Sequence, residues 1–346
     1  ALGGAINVVS ADPFAFKKGL SGIAATTFGL NNNEMMGYVR STYNTGTAFL
    51  SLGMRYRHAD NYTMGGGEEV ASSMFKDANL FLKGGVKVGR HTFILDGRSY
   101  LGRELGKALD QADIDANRRI WFPKDDTHRV TALYDYHGRG VLRAASARAF
   151  WSVTQREQSA DVFSGDYDHM INYTRKYGAM WNAGGNGNLN FVFSQSTDLI
   201  VGSDVLYKAL NTEKEVFLED WANPGSYNSL GRNPEFKDAS QFHGGVFTRL
   251  RHQRGKFSVS LSARGDFLVT RGNQPRDMDI STGEWVAKQT SEGAPSGSVG
   301  LLYHPKKALA IKLNLSTAYR AADLREMFFA GTTTHESTRG FHAPKP

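Results

Sequence analysis

Apolar and polar residues alternate with a period of two along several segments of the chain. Between positions 308 and 320, apolar side chains occupy every odd position of Leu309–Leu315, and Lys312 and Asn314 fall on the opposite face. A period of two is the signature of a β-strand whose two faces meet different surroundings. We predict an all-β fold with about 12 to 14 strands between positions 21 and 320. The same alternation returns in the segments 47–58, 130–136 and 257–270.

The connections between these segments differ in length. Turns rich in Gly, Asn and charged residues are short, whereas the polar stretches that separate the hairpins are long. Bacterial outer-membrane barrels have this asymmetry, with tight turns on one side of the membrane and long loops on the other. The predicted short turns are 44–46, 89–90, 137–140 and 253–255, and the predicted long loops are 64–76, 106–124, 211–239 and 271–295.

Strands of this kind occur in two classes of protein. For any single strand, a half-buried sheet of a soluble protein is the favoured explanation, but many such strands together favour a transmembrane antiparallel β-barrel. The inner faces would then carry Arg, Lys, Asp and Ser, which is tolerable only around a water-filled or plugged lumen. Aromatic residues near the predicted strand ends fit an interfacial girdle: Tyr134, Tyr136, Trp151, Tyr173, Tyr177, Trp181 and Tyr319.

Composition narrows the functional classes. The 346 residues include no Cys, which excludes disulfides and thiol chemistry in this span. The net charge of +7 is spread singly among acidic residues, so nucleic-acid binding is not predicted. No apolar run reaches the roughly 18 residues of a spanning helix, and no Gly-x-Ser-x-Gly, His-Glu-x-x-His or phosphate-loop motif is found. We predict a protein that is not an enzyme, with no catalytic residue, no resident metal and no cofactor.

The first ten residues read Ala-Leu-Gly-Gly-Ala-Ile-Asn-Val-Val-Ser. This segment resembles the end of the plug domain of TonB-dependent outer-membrane receptors, where a glycine-rich turn leads into a strand reading roughly Gly-Val-Ile-Asn-Ile-Val. An ordinary strand start is the alternative, because Gly-Gly followed by alternating aliphatic residues also begins strands. The matching positions include Gly3, Gly4 and Asn7.

Two further segments are similar to the same family. Residues 316–328 resemble its aromatic-Arg-Ala-Pro-x-Leu-x-Glu-Leu-Phe motif, at which a strand leaves the membrane for an extracellular loop, although Ala322 replaces the Pro. Residues 122–129 resemble the Pro-x-Asp-Asp start of a barrel strand. The matching positions of the longer motif are Tyr319, Arg320, Ala321, Leu324 and Glu326.

The resemblance covers positions 1 to 328 and implies a bacterial outer-membrane barrel of about 22 strands around an N-terminal plug. Residues 1–12 would be the C-terminal end of the plug domain, and residues 13–346 would be part of the barrel. We expect a fragment that lacks the TonB-contacting box and stops about eight or nine strands before closure.

The same resemblance implies import of an iron chelate, a ferric siderophore or haem, into the periplasm. The energy would come from the TonB–ExbB–ExbD complex, and outer-membrane lipid would surround the barrel. Three alternatives stay open: a receptor of this family for cobalamin or another metal chelate, a passive porin, and a soluble β-rich enzyme or lectin.

Three residues are candidates for ligand contact in an extracellular loop: Arg320, His335 and His342. His335 follows the longer motif, at a place where haem importers of this family often carry a histidine. A neutral imidazole there could ligate haem iron. The alternative, which we favour for both histidines, is an ordinary solvated loop side chain.

Overall fold

The computed structural model describes residues 12–109, 111–165, 169–275, 285–306, 308–320 and 322–328, and nearly all of these are in β-strands. Among them, helix is confined to a 3-10 turn at Pro13–Ala15 and two short α-helices, α1 (Gln111–Asp115) and α2 (Leu324–Phe328). No helix in these ranges is long and apolar enough to cross a membrane. The strands are β1 (Gly19–Gly29), β2 (Glu34–Asn44), β3 (Ala48–Ala59), β4 (Phe75–Val88), β5 (His91–Gly106), β6 (Arg118–His137), β7 (Leu142–Phe163), β8 (Met170–Ser194), β9 (Thr197–Glu219), β10 (Tyr227–Arg254), β11 (Phe257–Pro275), β12 (Trp285–Lys306) and β13 (Leu309–Ser316).

All of these strands form one antiparallel sheet of 13 strands, in which each strand pairs with its neighbours in sequence. The number confirms the predicted 12 to 14 strands. The register aligns apolar residues across the sheet: Leu313 of β13 lies opposite Leu301 of β12, which lies opposite Val259 of β11. An order without crossovers is the up-and-down arrangement that membrane barrels use.

The two faces of the sheet differ sharply in chemistry. On one face, which we call the outer face, large apolar side chains such as Leu52 and Leu95 are more than half exposed. On the opposite, inner face, polar side chains such as Ser51, Asp77 and Asp96 are buried. A soluble protein buries its apolar face and exposes its polar one. The inversion seen here is the arrangement of a barrel wall that faces lipid outside and a polar lumen inside.

The short turns lie together at one edge of the sheet, as predicted. Gly89 joins β4 to β5 with a φ of 61°, and Gly255 joins β10 to β11 with a φ of 56°. Both values lie in the left-handed region, where a side chain is strained and glycine is favoured. The structure adds a turn between Ser194 and Thr197 that the sequence analysis did not identify.

Several predicted long loops prove to be largely strand. The polar stretch 211–239 was predicted as one loop, but β9 continues to Glu219 and β10 begins at Tyr227. Strands β8, β9 and β10 have 25, 23 and 28 residues, whereas about 9 to 11 residues span the hydrocarbon layer. The excess length projects beyond the membrane, where both faces meet water and the alternation that reveals a strand is lost.

Two of the other long loops are shortened in the same way, whereas the predicted loop 64–76 lies outside the strands as far as Met74. The predicted loop 106–124 contains α1 and the start of β6, whose pairing with β7 is irregular between Trp121 and Lys124. Pro123 lies in this irregularity, where a residue without an N–H donor is tolerated. The predicted loop 271–295 is strand as far as Pro275 and again from Trp285.

The aromatic residues divide into three groups. Tyr134 lies near the short turns, with its ring centroid 5.1 Å from that of Phe93. Further along the outer face, the rings of Trp151 and Trp181 lie 5.5 Å apart. These positions fit a girdle. The prediction was wrong for Tyr173 and Tyr177, which lie in the extension beyond the apolar band of β8, and for Tyr319, which lies on the inner side.

The segment that precedes β1 also lies on the inner side of the sheet. Phe14 packs edge-on against Phe49 at 4.7 Å, and Lys87 lies 4.0 Å above the Phe14 ring. The buried amide of Asn44 donates to the carbonyl oxygen of Phe16 at 2.7 Å. The chain therefore reaches β1 from the lumen side, at the edge of the sheet that carries the short turns.

Candidate functional site

The inner face gathers charged side chains into networks. On β3 and β4, Arg55 and Arg57 both donate to the carboxylate of Asp77, whose side chain is fully buried. The shortest distance, from Arg57 Nη2 to Asp77 Oδ2, is 2.6 Å. Two arginines on one carboxylate leave a net positive charge facing the lumen.

A second network ties β9, β10 and β11 together. The guanidinium of Arg264 donates to Asp204 at 2.6 Å and to Asp266 at 2.6 Å. His243 Nε2 lies 2.7 Å from the same Asp266 carboxylate. The planar fork of arginine suits this two-sided contact. Because these donors are used within the wall, we interpret the network as a brace between strands.

The residues that follow β13 turn inward and cover part of the inner face. We call them the cover segment, described at 319–320 and 322–328. The hydroxyl of Tyr319 donates to Glu292, which shares the face of the buried Leu268. The side-chain amide of Gln241 donates to the carbonyl oxygen of Ala322 at 3.0 Å. The strand predicted to continue to 320 thus ends at Ser316, because the chain leaves the sheet plane here.

Helix α2 anchors the cover segment through a small apolar core. Leu324, Met327 and Phe328 are buried, and they pack against Phe236 and Ala239 of β10. This cluster lies on the lumen side of the wall. It gives the leucine and terminal phenylalanine of the sequence motif a packing role.

The polar residues of the motif form a capping box at the start of α2. Asp323 Oδ1 accepts from the Glu326 amide at 2.9 Å, and Glu326 Oε2 accepts from the Asp323 amide at 2.8 Å. Arg320 donates to Glu326 at 2.6 Å and 3.1 Å. The hydrogen bond from Arg320, followed by that from the Asp323 amide, holds the pKa of Glu326 below its ordinary value.

The rim beyond the membrane is also ordered by polar contacts. Glu219 at the end of β9 accepts from the Gly225 amide at 2.9 Å and lies 2.6 Å from His169 Nε2. These two contacts, the backbone one first, lower the pKa of Glu219. Tyr173 stacks on Phe217 with centroids 4.4 Å apart. The hairpin of β9 and β10 is therefore held by polar contacts near its tip and by a stacked aromatic pair.

The loop between β5 and β6 is held by a buried carboxylate. Asp113 of α1 accepts from Lys107 at 2.6 Å and from Arg118 Nε at 3.0 Å. Burial alone would raise the pKa of Asp113, but the hydrogen bonds from the two cations outweigh burial and lower it.

The structure places only part of the residues selected from the sequence. Tyr319, Arg320, Leu324 and Glu326 come together in the cover segment, where Arg320 donates to Glu326. Contact between Arg320 and a ligand stays a prediction. His335, His342, Gly3, Gly4, Asn7 and Ala321 lie outside the described residues. The inner-face cations are not among the candidates that the sequence motifs provide, although their even or odd positions within alternating strands mark the face on which they lie.

Metal coordination by the wall itself finds no support in the described ranges. Within them, no group of three or more His, Asp or Glu side chains is arranged to hold a metal ion.

These features define a class: an antiparallel barrel wall with an apolar outer face, a charged inner face and ordered extramembrane hairpins. A family model described as TonB dependent receptor-like, beta-barrel matches residues 87–345. The chain belongs to this family. Among curated proteins, none matches the chain in sequence.

Solved structures share the fold at low sequence identity. The copper transporter OprC superposes with a TM-score of 0.70 at 15% identity, over 90% of this chain and 47% of that one. The ferric citrate transporter FecA, in an unliganded form, gives 0.60 at 15%, over 85% and 43%. The hemophore receptor HasR of Serratia marcescens, in complex with its hemophore HasA and heme, gives 0.61 at 13%, over 90% and 47%. The aligned part of this chain covers less than half of each of these proteins, so the chain spans about half of their length.

Proposed function

We propose that this chain is part of the wall of a receptor in the bacterial outer membrane that imports an iron chelate, a ferric siderophore or haem, into the periplasm. The observation that carries the proposal is the inverted sheet, with exposed Leu52 and Leu95 outside and charged networks such as Arg57 with Asp77 inside. Lipid suits the first face, and a polar lumen suits the second.

We also propose that residues 1–12 end a plug domain and that residues 13–346 belong to the barrel. The support is the position of Phe14 and Phe16 on the inner side, against Phe49 and Asn44. A chain that reaches β1 from the lumen is what a domain held inside the barrel requires. The TonB–ExbB–ExbD complex would then supply energy by contacting the plug.

Growth on single iron sources tests the transport function. A receptor-deleted host is complemented with the full-length gene, and growth is measured on haem and on individual ferric siderophores. We expect rescue by at least one of these sources. Failure on every source, with the receptor present in the outer membrane, would contradict the proposal.

A His335→Ala variant separates the two cargo classes, and His342→Ala serves as the matched control. Rescue by haem that is lost only with His335→Ala would assign haem and make that imidazole a ligand contact. Rescue by a siderophore that neither change affects would identify the cargo as a ferric siderophore. Both histidines would then be ordinary solvated loop side chains.

A further inference from the structure

One line of directly opposed residues crosses the inner face from β2 to β10, and it carries basic side chains and no acidic one. We call its four cations the basic row. In order across the sheet, the line contains Arg40, Gly53, Phe81, Arg98, Arg129, Ser152, Asn182, Lys208 and Gln241, of which Arg40, Arg98, Arg129 and Lys208 form the basic row.

Two members of the basic row lie directly opposite each other on adjacent strands. Arg98 of β5 and Arg129 of β6 form a cross-strand pair, and like charges in such a pair are destabilising. The charge of Arg98 is paired with that of Asp96, with 2.9 Å between Arg98 Nη2 and Asp96 Oδ2. Arg129 has no such balance: its guanidinium lies 5.0 Å from the centre of the Phe150 ring, and its Nε donates to the Thr131 hydroxyl at 3.3 Å.

The basic row therefore holds a positive charge that the wall does not neutralise. Across the described ranges of the chain, Arg40, Arg129 and Lys208 make no ion pair with a carboxylate. Arg264, away from the basic row, has its own acidic partners in Asp204 and Asp266. Both Arg98 and Arg129 are exposed on the lumen side, so a bound group can reach them.

We propose that the basic row binds the anionic oxygens of the transported chelate, and that the cargo is accordingly an anionic metal chelate. The inference rests on the proposed function and names the charge class of its substrate. Neighbouring strands lie about 4.8 Å apart, so Arg98 and Arg129, on adjacent strands, can donate to one carboxylate or catecholate group. Charge-assisted hydrogen bonds of this kind are the strong ones.

Equilibrium binding to the purified full-length receptor tests the proposal. The probes are ferric citrate, a ferric tris-catecholate and haem, which are anionic, and a ferric trihydroxamate and cyanocobalamin, which are uncharged. The test variant is Arg129→Gln/Lys208→Gln. The matched control is Arg148→Gln/Arg249→Gln, which removes two inner-face cations closer to the short turns.

We expect the wild type to bind at least one anionic probe and the test variant to weaken that binding about tenfold or more. The control variant should stay within about twofold of the wild type.

Binding of uncharged probes alone, or equal losses in both variants, would overturn the inference. A test variant with unchanged chelate affinity but lowered thermal stability would also overturn it, because the row would then face acidic side chains of the receptor itself. Binding of none of the five probes would instead contradict the proposed function.

Discussion

The aromatic ring of Phe328 lies directly against the backbone of Gly272, so closely that a Cβ on Gly272 would lie 2.9 Å from two ring atoms. Phe328 belongs to α2 and Gly272 to β11, so this contact seats the cover segment on the barrel wall. A glycine is needed here for close approach, and not for an unusual φ.

We expect Gly272→Ala to destabilise the cover segment by about 1 to 3 kcal/mol, because the added methyl group overpacks a buried contact. The loss should shrink in a Gly272→Ala/Phe328→Leu double variant, since the smaller side chain makes room. Hydrogen exchange of residues 322–328 measures the effect. Gly265→Ala is the control, because a Cβ there meets nothing within 4 Å. Equal changes for the two alanine variants would show that Phe328 does not press on Gly272.

The cover segment should loosen in acid. The pKa of Glu326 is lowered in the folded protein by Arg320 and the Asp323 amide, so its contribution is fully present above the ordinary value of 4.5 and is lost as pH falls through the lowered value. Protection of residues 322–328 from hydrogen exchange, corrected for intrinsic rates, should therefore fall below that pH. A Glu326→Gln variant should show weak protection that does not change with pH. Protection that persists unchanged to the lowest pH would contradict this account.

Tyr319 should ionise late. Burial first, and the hydrogen bond to Glu292 second, raise its pKa to about 12 from the ordinary 10.0. We expect Glu292→Gln to lower the pKa of Tyr319 towards its ordinary value. Ultraviolet absorbance during a pH titration measures this change. Tyr319→Phe identifies the transition, because it should remove one late-titrating group from the curve. The explanation fails if Tyr319→Phe leaves the number of late-titrating tyrosines unchanged.

A charged side chain on the outer face should destabilise the protein in lipid. Leu315 of β13 is 66% exposed on the apolar outer face, and Leu315→Arg should lower the free energy of unfolding in lipid vesicles by about 2 to 4 kcal/mol if it lies near the bilayer midplane. Asn314→Arg, one residue away on the inner face, should cost far less. Similar costs for both changes would mean that the assignment of the two faces is wrong.

The Asp77 cluster should stabilise β3 against β4. Asp77→Asn removes the charge that Arg55 and Arg57 share, and we expect a loss of about 1 to 3 kcal/mol, kept moderate because both guanidinium groups are partly solvated. Asp135→Asn is the control, since in the described residues Asp135 makes no ion pair. Denaturant titration in lipid would detect the difference, and identical midpoints would argue against a stabilising role for the cluster.

The sequence predicts the wall of the barrel well and its surroundings poorly, for one physical reason. Where a strand separates lipid from lumen, as around Leu52 or Leu261, the two faces differ and the period of two is visible. Beyond the membrane both faces meet water, so β9 and β10 carry Glu, Lys, Asn and Ser on each side and read as loop. The strands there are set by pairing with neighbours, which one sequence does not display.

The candidate site was likewise predictable from the sequence only in part. The motif around Arg320 was identified from the sequence, but its role as a packed cover on the inner face depends on distant Gln241 and Gly272. The basic row cannot be recognised as a cluster of basic residues in the sequence. Arg98 and Arg129 are 31 positions apart and become neighbours only through the register of β5 and β6.

The extension of β9 and β10 beyond the apolar band forms a long hairpin with two parts. We call its paired strands, which continue onto β8, the stem, and we call the connecting loop the tip. The stem is held by a ladder of backbone hydrogen bonds and by contacts such as Tyr173 with Phe217, whereas the tip between Glu219 and Tyr227 is only a few residues long. Changes in the tip leave the ladder intact. Such a hairpin can change the sequence and length of its tip without refolding the wall that carries it.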